Sequence, residues 1–197
     1  MKHPRLRFLL LAGLFAIPAL AHAHPGHDGH DFGWDFRTGF THPLFGWDHL
    51  AAMLAVGLWA AQLGGRARWL VPAAFVTVMA LGAALAQTGV AIPGSEQLIA
   101  ASVLVLGLLI ATAAKLPTAA GMALVGLFAA FHGFAHGAEM PATSGGLIYG
   151  AGFIGATALI HAAGVGLGSL ATARKSEKLT RAAGWVMAAC GVVLFAA

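Results

Sequence analysis

Apolar stretches of about 20 residues recur along this chain, separated by short polar loops, and nothing else constrains its folding as tightly. Hydrocarbon offers no water to satisfy backbone N–H and C=O groups, so a segment crossing it must bond internally. An α-helix does this within one segment. The runs at 43–63, 69–88, 97–114, 118–137, 147–171 and 179–195 therefore predict an all-α, polytopic membrane protein with six transmembrane helices. Only 9% of the residues are charged, against about 25% in ordinary globular chains, which excludes a soluble domain.

Residues 1–23 read as a cleavable signal peptide. Lys2, Arg5 and Arg7 form a basic start, 8–20 is an apolar core too short to span a bilayer, and Ala21-His22-Ala23 fits a small-x-small cleavage site. Cleavage after Ala21 is a second acceptable outcome. The stretch 24–41 follows as a His/Asp-rich periplasmic leader, in which His24, His27 and His30 can collect divalent cations loosely. Residues 42–197 form the six-helix transmembrane domain.

Charge fixes the expected orientation. If the signal peptide delivers the leader to the outside, the inner loops hold Arg66, Arg68, Lys115, Arg174, Lys175, Lys178 and Arg181, and the outer segments hold only Arg37. That asymmetry obeys the positive-inside rule and predicts a multi-pass protein of a bacterial inner membrane with a periplasmic mature N-terminus. It also disposes of nucleic acid as a partner: the formal charge of +4 is spent on orientation in the lipid bilayer. The single cysteine, Cys190, supports neither a disulfide framework nor a thiolate metal site.

Two groups of ionisable residues interrupt the apolar pattern near its outer margin. The first is His42-Pro43-Leu44-Phe45-Gly46-Trp47-Asp48-His49. Pro43 suits the first turn of a helix, and His42 and His49, seven apart, would share its face. Asp48 would point about 100° from His49, either orienting a histidine or ligating directly from an unwound turn. The second is Phe131-His132-Gly133-Phe134-Ala135-His136-Gly137-Ala138-Glu139. Here His132, His136 and Glu139 lie within about 60° of one another around a helix, and Gly133 and Gly137 allow a neighbouring helix to approach. Ionisable groups at such depth cost free energy and mark function. Imidazole and carboxylate donors suit Ni²⁺ or Co²⁺, and residue chemistry alone leaves Zn²⁺ and Mn²⁺ open. His161, near the middle of the fifth span, reads equally as a further waystation for the ion, a proton carrier, or a packing histidine.

The stretch from His42 to His49 resembles the His-x5-Asp-His motif of the HupE/UreJ family of nickel/cobalt permeases. The stretch from Phe131 to Glu139 resembles that family's second motif, Phe-His-Gly-x-Ala/Val-His-Gly-x-Glu. The resemblance implies a secondary transporter, not an enzyme, moving Ni²⁺ and also Co²⁺ from periplasm to cytoplasm to supply hydrogenase or urease. It implies no permanently bound cofactor, the metal being the substrate, and it carries His42, Asp48, His49, His132, His136 and Glu139 over as transport residues. The rival reading is a metal-dependent integral-membrane hydrolase, with three protein ligands, an activated water, and Asp48 or Glu139 as base.

Overall fold

A computed structural model describes residues 34–196, apart from residue 91 and the side chain of Ser144. The signal peptide and the leader histidines His24, His27 and His30 lie outside the described residues. Seven helices and no strand make up the described part: α1 (Phe36–Phe45), α2 (Trp47–Leu63), α3 (Ala67–Ala86), α4 (Ser95–Thr112), α5 (Thr118–Glu139), α6 (Ser144–Ala173) and α7 (Glu177–Ala196). Helices α3 to α7 are each long and apolar enough to cross a bilayer, and α1 with α2 makes a sixth span if that bent pair counts as one.

The five later spans fall within a few residues of their predicted limits, and the first does not. Its helix is expected to start at Pro43, but the chain is already helical from Phe36. Asp35 caps this early start: its Oδ1 accepts the Thr38 N–H at 2.8 Å, while the Thr38 hydroxyl accepts the Asp35 N–H at 3.2 Å. The bond from the Thr38 amide, reinforced by its hydroxyl, holds the exposed Asp35 carboxyl below its ordinary pKa, so the cap is charged at neutral pH. Pro43 lies inside α1 rather than at a helix start. It gives no N–H to the Gly39 carbonyl and its ring crowds that group, so α1 ends two residues later. At Gly46 the path turns by 80° into α2.

Helix α2 is the axis of the bundle. It is apolar on all sides, and Ala52, Met53, Ala55, Val56, Trp59 and Ala60 are wholly buried, as in a helix surrounded by others. Around it stand α3, α4 and α6, with α3 paired to α5 and α4 to α7. Small residues make these pairings close. On α5, a Cβ at Gly133 would strike the Met79 carbonyl of α3, and one at Gly137 would lie against Ala83. This close approach fixes how α5 is rotated, and so where its histidines point. The carbonyls at the end of α5 are taken up by Gln87, whose Nε2 donates to Met140 O at 2.9 Å and to Gly137 O.

The opposite end of the bundle is basic. There Arg181 Nε donates to Ala111 O at 2.7 Å, Trp59 Nε1 to Ala114 O at 3.1 Å, and Lys115 Nζ to Gln62 O. Cations and N–H donors at helix C-termini satisfy carbonyls that the helix itself leaves open.

Candidate metal centre

The break at Gly46 builds the centre. Gly46 donates its N–H to His42 O at 3.0 Å, closing α1, and accepts from Leu50 N at 2.8 Å, opening α2. The sequence reading put His42 and His49 on one face of one helix. They instead stand on either side of the bend, and their rings still meet, with centroids 5.8 Å apart. The glycine leaves these side chains room: a Cβ there would sit 3.1 Å from His49 Nδ1 and 3.4 Å from Asp48 Oδ1.

Asp48 lies in the first turn of α2, where the helix dipole favours a negative charge. Its Oδ1 accepts the His49 N–H at 2.8 Å and lies 2.6 Å from His49 Nδ1. A carboxylate on Nδ1 fixes the ring and the tautomer, leaving the Nε2 lone pair to act as a ligand. Of the two roles open to Asp48, the geometry is that of an orienting partner. The His49 Nε2 so presented touches Nε2 of His136, which arrives from α5.

His42, His49 and His136 each offer a ligand nitrogen within 4.8 Å of the other two, the one such group of three among the described residues. Three imidazoles on a common ion at about 2.1 Å would place their nitrogens about 3.4 Å apart, so ring rotations of about an ångström complete the set. Phe153 and Tyr149 of α6 wall the group, with centroids 4.7 Å from His136 and 6.1 Å from His42 respectively. Trp34 meets Tyr149 edge-on at 5.0 Å. These aromatic walls escape sequence reasoning because nothing in their own neighbourhood marks them. Only the packing of α1 on α6 brings them in.

The other predicted residues fall on either side of this group. His132, one turn deeper on α5, is wholly buried, with its ring centroid 5.5 Å from that of His49. Its Nδ1 lies 3.0 Å from Phe128 O and so carries the proton, leaving Nε2 without a hydrogen-bond partner among the described residues. His161 is 1% exposed and neither ring nitrogen has such a partner. Each buried nitrogen left without a partner costs about 1–3 kcal/mol. Glu139 is exposed and lines an open cleft of about 610 Å³ together with Glu96, Ser95 and Phe134. Glu96 lies in the first turn of α4, one residue before the span 97–114 expected from the sequence. Its signal is that of any carboxylate at the edge of an apolar run.

Fold and centre together define a multi-pass membrane protein that gathers three imidazoles beneath a broken helix, one of them held by a carboxylate. Its relatives place it further. The chain belongs to the HupE/UreJ family, whose model, described as "HupE / UreJ protein", matches residues 10–194. "Protein HupE" of Rhizobium leguminosarum bv. viciae is 44% identical over 196 residues, covering 98% of this chain and 98% of its own. No solved structure matches.

Proposed function

We propose that this protein is a secondary transporter that carries Ni²⁺, with Co²⁺ as an alternative substrate, from periplasm to cytoplasm, where it serves hydrogenase or urease maturation. The observation that carries this reading is the convergence of His42, His49 and His136 from three helices on one point, with Asp48 behind His49. The donors are neutral nitrogens, which suit Ni²⁺ and Co²⁺ better than they suit Mg²⁺ or Ca²⁺. Glu96 and Glu139 in the open cleft supply negative charge where a hydrated cation would arrive. Three protein ligands hold an ion without enclosing it, as a carrier that must release its cargo requires.

A hydrolase could use the same three imidazoles, with an activated water in the fourth position. Two features favour transport. Asp48 is committed to His49 rather than poised as a base, and further imidazoles continue into the bundle behind the centre. Uptake of radioactive nickel by cells tests the proposal. With protein levels equal, His49→Ala and His136→Ala should each reduce the initial rate by about tenfold or more, following loss of a ligand. Uptake at the wild-type rate in both variants would refute it.

A further inference from the structure

We infer a second, inner cation site between His132 and His161, through which the ion passes after leaving the three-histidine centre; this rests on the transport reading above. The bundle interior beyond the centre is not uniformly apolar. His132 on α5 and His161 on α6 both lie edge-on to Phe75 of α3, with ring centroids 5.4 Å and 5.0 Å from it. The phenyl ring is wholly buried. Thr157, also wholly buried, sits one helical turn from His161 on α6.

Four polar atoms in this region have no hydrogen-bond partner among the described residues: His132 Nε2, Thr157 Oγ1, and both ring nitrogens of His161. A threonine in a membrane helix ordinarily bonds back to a carbonyl one turn earlier, as Thr112 and Thr172 do here. Thr157 does not. Proteins leave so few buried polar atoms unpaired that a cluster of them calls for a ligand. Two imidazole nitrogens and a hydroxyl are donors to a divalent cation, and few other ligands would use all three. His132 also lies within reach of the first centre, 5.5 Å from His49 between centroids, so the two sites are contiguous. Phe75 packs against both rings.

The test combines transport and binding in the full-length protein. In cells, His161→Leu should lower the maximal nickel uptake rate by about tenfold while leaving the half-saturating concentration within about twofold, because the outer centre is untouched. His161→Cys, which restores a ligand of smaller size, should recover at least about threefold of that loss. Wild-type rates in His161→Leu would overturn the inference. So would a His161→Leu protein that, once purified, no longer binds Ni²⁺ at the outer centre, since that marks a packing role. A separate arm uses purified protein carrying His49→Ala and His136→Ala, titrated with Co²⁺ and followed by its ligand-field absorption. One Co²⁺ should remain, and adding His161→Leu should remove it; no residual Co²⁺ would overturn the inference. Absence of nickel uptake by the wild type would instead strike the transport reading, and the cobalt titration would still decide on the inner site.

Discussion

At the scale of single residues, the pair Asp48–His49 shows how a neighbour decides what a histidine can do. With Nδ1 occupied by the carboxylate at 2.6 Å, Nε2 is the only nitrogen His49 can offer. Replacing Asp48 by Asn keeps the size and removes the charge, so the amide can no longer fix one tautomer. Loss of such an orienting partner typically costs 10–100-fold in metal affinity. Asp48→Asn should therefore weaken Ni²⁺ binding by roughly that factor, measured by equilibrium dialysis on purified protein. Affinity equal to wild type would remove Asp48 from the centre. The sequence showed that Asp48 belongs with these histidines but not how, because a regular helix turns adjacent side chains about 100° apart. What helical geometry leaves out is that Asp48 also binds the His49 amide, which draws the carboxylate back over the ring. The pair His132 and His136 was easier to read, since a spacing of four defines a helix face without any tertiary knowledge.

At the scale of elements, α1 decides whether the centre exists. It is ten residues long, too short to be stable alone, and is held by its packing on α6. Gly39 makes that packing possible: a Cβ there would collide with the Tyr149 carbonyl. Gly152 of α6 does the same from the other side, against Phe36 and Phe40. Adding a methyl at Gly39 should push α1 outward, carrying His42 with it and leaving His49 and His136 in place. Gly39→Ala should then reduce Ni²⁺ affinity about tenfold, or 1.4 kcal/mol. Gly46→Ala, whose Cβ meets only the His49 and Asp48 side chains at 3.1 Å and beyond, should cost less. Titrations that rank the two in the opposite order would place the control of the centre at the bend rather than in the α1–α6 contact. This element was illegible in the sequence for a physical reason. Pro43 next to an apolar run reads as a first-turn proline, and the α1–α6 contact that keeps it inside an earlier helix is a long-range one.

At the scale of the whole molecule, the two ends of the bundle differ in chemistry. Arg66, Arg68, Lys115, Arg174, Lys175, Lys178 and Arg181 fall at or between helix ends on one side, and the histidine centre lies toward the other. The spans themselves were plain from the sequence because a hydrophobic run of bilayer length has few alternatives. The site they enclose was plain only in part, because its walls and depth come from helices distant along the chain. In the proposed orientation the centre meets the periplasm, whose pH follows that of the medium, and this gives a prediction with a definite sign. An imidazole must be neutral to ligate, so protons and Ni²⁺ compete for the same lone pairs. Binding is then strongest where the imidazoles are neutral and weakens as acid protonates them. Lowering the external pH should raise the half-saturating nickel concentration for uptake. A transporter driven by inward proton flow would instead show a higher maximal rate under the same acidification, so the concentration dependence must be measured at each pH. A half-saturating concentration that stays constant or falls on acidification would mean that these three histidines do not bind the ion at the step where it enters.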